Sequence, residues 1–150
     1  MAKPTLKPIS ASLEDYLEAI YTIIQEKQGV KAIEISRRLN VGRSSVTEAL
    51  KTLAEKNLVN YGRYDVISLT PEGEKVAQQV ILKHNVLFEF FTSTLGLSPE
   101  EAHENACRVE HVISEDALKR FVLFAKFNKQ FNASNNSYKE EIQNFYKKNE

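Results

Sequence analysis

The sequence predicts a mainly α fold: an N-terminal winged helix-turn-helix with a small β-hairpin wing, followed by a helical domain. Three observations predict it. The stretch "KAIEISRRLNVGRSSVTEALKTLAEKNLV" has the form of a short amphipathic helix, a Gly-containing turn and a second helix. Directly after it, "LVNYGRYDVISLT" places two short apolar runs on either side of another Gly-containing turn, the signature of a small hairpin. Beyond Thr70 capped helical segments follow one another, carrying more apolar surface than one small domain needs.

Each element follows from local chemistry. In "ASLEDYLEAIYTIIQEKQG", Ser12 is expected as N-cap with Asp15 in the capping-box slot. Leu13, Tyr16, Leu17, Ile20, Ile23 and Ile24 recur at helical spacing, and Gly29 is expected to end the helix. Ile35 and Leu39 make the short helix amphipathic, and Asn40 and Gly42 suit the dihedrals of a sharp corner. Arg43 or Ser44 then starts the second helix, with Val46, Leu50 and Leu53 inward. After the hairpin, Thr70 caps a helix whose first residue is Pro71, and a break is expected near Asn85 or Val86. Ser98, Pro99 and Glu101 open the next helix as N-cap, first residue and capping-box acid. Ser114 starts a further one, "NASNNS" is a polar break, and "YKEEIQNFYKK" forms a last helix. The expected division is residues 1–72, including a short N-terminal arm, and residues 73–150.

Composition narrows the partners. The 150 residues are 42% hydrophobic and 27% charged, with a formal net charge of zero, so no global field announces a polyanion. The balance hides a local excess: Lys27 to Arg63 holds eight Lys or Arg against three Glu, a net of +5. Such a patch suits phosphate. On the outer side of the second helix of the pair stand Arg43, Ser44, Ser45, Thr47, Glu48 and Lys51, with Lys31 in the same basic stretch and Arg63 at the wing tip. Short polar groups near a helix N-terminus reach base edges, and the N-terminal amides favour phosphate. Double-stranded DNA is the expected partner. A single cysteine excludes an internal disulfide and suits a reducing compartment. No run approaches the ~20 apolar residues that span a bilayer, and "MAKPTLKPIS" lacks an apolar signal core. The expected location is cytoplasmic, with no membrane partner.

The metal chemistry centres on "ENACRVEHVIS". The chain's three histidines, His84, His103 and His111, fall within 28 residues that also hold Cys107. On one helix His103, Cys107, Glu110 and His111 would stand at i, i+4, i+7 and i+8, a continuous polar stripe two turns long. One stripe supplies part of a coordination shell, so His84 and the first-helix acids Asp15 and Glu18 are candidates for the rest. Each residue alone has a bland reading as surface, cap or small core group; their coincidence on one face is the signal. Imidazole, carboxylate and one thiolate suit Fe(II), Mn(II), Zn(II), Co(II) or Ni(II) rather than a Cys-rich structural zinc site or an all-oxygen calcium or magnesium site. A di-iron enzyme would need two Glu-x-x-His motifs, and only Glu100 with His103 fits, since Ile81 and Arg108 stand where the other acids would be. No enzyme is expected. The alternatives are a metal-independent winged-helix regulator with a small-molecule effector, and a helical metalloprotein with a structural zinc site.

"SLEDYLEAIY", "SSVTEALKTLAEKNLV", "LTPEGEKVA" and "CRVEHVIS" occur in that order, and about residues 10 to 127 resemble the metal-dependent repressors typified by the diphtheria toxin repressor and the manganese transport regulator. The resemblance implies a homodimeric repressor of metal-homeostasis genes, with a winged helix joined to a helical metal-binding and dimerisation domain and a palindromic operator. By position, Cys107, Glu110 and His111 match main-site ligands of the toxin-repressor branch, and Asp15 and Glu18 match first-helix ligands of the manganese branch. Asp15 stands where the iron branch has methionine, and Cys107 where the manganese branch has glutamate. His84 and His103 match an ancillary site whose glutamate falls at Phe88, and His84 also matches a manganese-branch ligand. The small β-barrel domain that some members carry, and any ligands from it, are not expected here. The resulting ligand set is Asp15, Glu18, His84, Cys107, Glu110 and His111, with His84 and His103 as an ancillary pair; Fe(II) is the first expectation for the ion and Mn(II) the second.

Overall fold

The computed structural model describes residues 8–134 and 137–150. Most of the expected N-terminal arm, and Asn135 and Asn136 of the polar break, lie outside those residues. The helices are α1 (Ala11–Lys27), α2 (Ala32–Leu39), α3 (Arg43–Glu55), α4 (Pro71–Ser93), α5 (Pro99–Val109), α6 (Glu115–Ser134) and α7 (Ser137–Asn149). Strands β1 (Val59–Tyr61) and β2 (Ile67–Leu69) pair antiparallel between α3 and α4. Two compact units divide the chain between Val80 and Ile81.

The first unit is the expected winged helix-turn-helix. Its core joins Leu17, Ile20 and Ile23 of α1 to Ile35 of α2, Val46, Leu50 and Leu53 of α3, and Leu58, Val59 and Ile67 of the hairpin. Leu17, Ile20, Ile35, Val46, Leu50 and Leu53 are fully buried, each contributing ~1.5–3 kcal/mol. Ser10, not Ser12, caps α1: its Oγ accepts the Leu13 N–H at 3.3 Å. Ser12 therefore sits inside the first turn. At the other end Gln28 takes the left-handed cap conformation at φ 62°, so the helix stops before Gly29 needs to act. Asn40 makes the corner between α2 and α3 at φ 52°, while Gly42 is extended and serves as the α3 N-cap. Glu34 anchors the start of α2, accepting from the Lys31 backbone N–H at 3.0 Å and from Lys27 Nζ at 2.8 Å. The Lys27 hydrogen bond, then that from Lys31, hold its carboxyl below the usual carboxylate range. That contribution is present at neutral pH and fades as acid protonates the group.

The hairpin pairs Val59 with Leu69, Asn60 with Ser68 and Tyr61 with Ile67, and Val30 adds a bridge to Ile67. Thr70 then turns the chain into α4: its N–H donates to the Leu58 carbonyl at 3.1 Å, its hydroxyl donates to the Asn57 carbonyl at 2.7 Å, and its Oγ1 accepts the Gly73 N–H at 3.0 Å. Gly73 is the residue that lets α4 lie against the Leu58 backbone, because any Cβ there would run into the Leu58 carbonyl group. Gly73→Ala is expected to lower stability by about 3 kcal/mol, read as a drop in the urea midpoint at unchanged slope. A change within about half a kcal/mol, the range of an ordinary surface substitution, would show that the approach is slack.

The expected break near Asn85 is absent. α4 is one helix of 23 residues, since neither Gly nor Pro follows Gly73 before the chain reaches Gly96. In the second unit Phe90 of α4 meets Phe121 and Phe124 of α6, with ring centroids 4.9 and 5.7 Å away. Phe131 of α6 meets Tyr138 of α7 edge to face at 5.3 Å. Leu87, Ala102 and Ala106 are fully buried. Ser98 caps α5 as expected, its Oγ accepting the Glu101 N–H at 3.2 Å. Ser114 does the same for α6 through the Ala117 N–H at 3.2 Å.

Candidate metal centre and nucleic-acid interface

The second unit gathers five of the predicted donors. His84 comes from α4, one turn before Phe88, and His103 and Cys107 lie one turn apart on α5, on the face next to the buried pair Ala102 and Ala106. The expected continuous helical stripe stops short of its last two members. α5 ends at Val109, Glu110 is its cap, and His111 lies in the following turn. Glu110 keeps helical dihedrals (φ −56°, ψ −30°) and its N–H still donates to the Ala106 carbonyl at 2.9 Å, so it stays in line with Cys107.

A connected set of contacts results. His84 Nδ1 lies 2.8 Å from Glu110 Oε2, and His84 Nε2 lies 3.1 Å from His103 Nδ1. Cys107 Sγ is 3.7 Å from His84 Nδ1 and 3.8 Å from His103 Nε2. His111 Nε2 lies 3.4 Å from Glu110 Oε1. Phe88 stacks on the His84 ring at 6.2 Å and 16°. With an ionised Glu110 and a neutral His84, the hydrogen of His84 would sit on Nδ1 toward the carboxylate, and His84 Nε2 would accept from His103 Nδ1. Glu110 is 1% exposed, and among the described residues its Oε1 has no hydrogen-bond partner. A buried, unsatisfied carboxylate oxygen beside imidazoles and a thiol is costly unless something cationic meets it. The donor chemistry therefore fits a borderline divalent ion. Asp15 and Glu18 belong to the first unit, on α1, one turn apart and half-buried beside the buried Tyr16 and Leu17.

The nucleic-acid face belongs to the first unit. Arg43, Ser44, Ser45, Glu48 and Lys51 are exposed along α3, and Lys31 and Arg63 are exposed at the start of α2 and in the wing. Thr47 is half-buried, its hydroxyl donating to the Arg43 carbonyl at 3.1 Å. A groove opens between α2, α3 and the wing, lined by Lys31, Arg43, Thr47, Tyr61, Tyr64 and Ser68. Sequence reasoning missed Tyr64. It stands in a single 3₁₀ turn between the strands, in left-handed backbone at φ 74°, with its side chain 95% exposed. A bulky residue held that way is unusual.

A basic helix-turn-helix with its wing, followed by a helical unit carrying a thiol, three imidazoles and a buried carboxylate, defines a metal-responsive DNA-binding protein. Comparison with known proteins gives the family. Residues 8–66 match the model of the iron dependent repressor N-terminal DNA-binding domain, and residues 70–135 match that of the iron dependent repressor metal-binding and dimerisation domain. An uncharacterised HTH-type transcriptional regulator of Methanocaldococcus jannaschii is 38% identical over 117 residues, covering 77% of this chain and 94% of that protein. The HTH-type transcriptional regulator MntR of Geobacillus kaustophilus is 35% identical over 109 residues, covering 73% of this chain and 77% of its own length. Among solved structures, that of the manganese regulator SloR superposes with a TM-score of 0.70 at 27% identity over 77% of this chain; the chain spans 54% of it. The chain belongs to the iron-dependent repressor family, whose members are transcriptional regulators and not enzymes.

Proposed function

We propose that this chain is a homodimeric repressor whose hold on DNA is switched by Fe(II) first, or Mn(II), and that it governs metal-homeostasis genes through a palindromic operator. The observation that carries the metal half is the buried, unsatisfied Oε1 of Glu110 among His84, Cys107 and His111. Residues 1–72 read DNA in this proposal, and residues 73–150 sense and dimerise. Exposed Leu82, Val112, Leu123, Phe127 and Phe145 support a partner-covered surface on the second half.

The proposed ligands are His84, Cys107, Glu110 and His111, completed from α1 by Asp15 and Glu18, with His84 and His103 as an ancillary pair. A bound divalent cation supplies the positive charge that lets carboxylates and a thiolate share one site; Zn(II), Co(II) and Ni(II) supply it equally in vitro. Glu110 holds the His84 ring in one tautomer through the Nδ1–H bond. Asp15 and Glu18 repel Glu110 when that charge is missing, which disfavours the DNA-competent arrangement. Arg43, Ser44, Ser45, Thr47, Glu48 and Lys51 of each copy then enter successive major grooves, Lys31 and Arg63 hold phosphates, and the two half-sites stand about 34–36 Å apart. By linkage DNA tightens ion binding by the factor through which the ion tightens DNA binding, ~1–3 kcal/mol.

Anaerobic mobility-shift titrations with Fe(II), Mn(II) and Zn(II) at buffered free concentrations test this. At least ~5-fold tighter operator binding is expected with the cognate ion. Indifference to all three would leave a winged-helix regulator with a small-molecule effector.

A further inference from the structure

We propose that Cys107 completes a three-donor subsite with His84 and His103, distinct from the carboxylate–imidazole set that Glu110 and His111 offer, and that this subsite takes a thiophilic borderline cation such as Zn(II) or Co(II). The inference rests on the metal-sensing reading above and divides its ligands differently. By the iron branch's pattern Cys107 goes with Glu110 and His111, and His84 with His103, although His84 also matches a manganese-branch ligand. The geometry of this chain regroups them.

One donor atom from each of His84, His103 and Cys107 falls within 4.8 Å of the others. Tetrahedral zinc, with bonds of about 2.0–2.1 Å to nitrogen and 2.3 Å to sulfur, has donor–donor edges of roughly 3.3–3.6 Å. Cys107 Sγ, 3.7 Å from His84 Nδ1 and 3.8 Å from His103 Nε2, stands within a few tenths of an ångström of that range. His103 and Cys107 are an i, i+4 pair on α5, so their relative placement is set by the helix itself.

Phe88 explains why the third donor has to be the thiol. It stands one turn beyond His84, stacked on that ring at 6.2 Å, and a phenyl group offers no ligand atom. The histidine pair lacks a carboxylate from α4, and Cys107, one turn after His103, takes its place. Glu110 then has two duties. Its Oε2 lies 2.8 Å from His84 Nδ1 and holds that ring in place. Its Oε1 is left for the other set, 3.4 Å from His111 Nε2. One buried carboxylate thus couples a soft subsite to a hard one.

The test is anaerobic Co(II) titration of the full chain, read by the thiolate-to-cobalt charge-transfer absorption in the near ultraviolet. The unaltered chain is expected to show the band and Cys107→Ser to lose it. His103→Gln, at an exposed position that leaves the fold intact by circular dichroism, is expected to weaken the cobalt affinity read from the band by about 10–100-fold. His111→Gln is expected to keep it. Loss with His111→Gln and indifference to His103→Gln would return Cys107 to the Glu110 set and overturn the proposal, as would no band in the unaltered chain. A parallel mobility shift separates the two ideas: a His103-dependent band without any metal effect on DNA binding would leave the subsite standing and remove the sensor.

Discussion

Glu110→Gln should abolish metal-stimulated DNA binding while leaving a folded dimer. The side chain is 1% exposed, bonded to His84 through one oxygen and unsatisfied at the other. The amide keeps the shape but removes the charge, and presents an N–H where an acceptor or ligand is wanted. Loss of an orienting or coordinating carboxylate costs about 10–100-fold in ion affinity. The remaining ion-free protein should still melt cooperatively, because the core of the first unit does not involve this residue. His111→Ala is expected to behave in the same direction. An unchanged metal response in a mobility-shift titration of either variant would remove both residues from the proposed ligand set.

Arg43→Ala and Lys51→Ala should act on the other half of the switch. Each side chain is exposed on α3, Arg43 at its first residue beside the N-terminal backbone amides, a position that favours phosphate. Each substitution should weaken operator binding about tenfold, near the ~1.5 kcal/mol of one charge-assisted hydrogen bond. Removing a cation that neutralises one phosphate weakens binding uniformly across sequences and reduces the salt slope of log K by about one. Ion affinity measured by calorimetry without DNA should be unaffected, and a drop there would break the separation of roles.

The winged helix was legible because its signals are local. Val46, Leu50 and Leu53 repeat at helical spacing, Asn40 punctuates the corner, and two apolar runs flank Gly62. The errors were also local. Ser10 and Ser12 carry the same capping hydroxyl, and only the hydrogen bond from the Leu13 N–H decides between them. The apolar excess of α4 suggested a break; one uninterrupted helix serves both units instead, with Ala77 and Val80 buried early and Leu87 late. The clustering of His84, His103 and His111 with Cys107 is the sequence signal for the candidate metal centre. What no spacing could disclose is that His84 Nδ1 and Glu110 Oε2, 26 residues apart, lie 2.8 Å from each other. Gly73 was equally mute, since its role depends on the Leu58 carbonyl across the turn.

The continuity of α4 constrains how any signal could travel along it. Twenty-three residues at 1.5 Å each make a shaft of about 35 Å. It has no proline beyond its first residue and no glycine after Gly73, and Thr70 and Gly73 pin its near end to the Leu58 backbone. The imidazole carried past its midpoint thus shares one unbroken helix with the glycine that fits against Leu58.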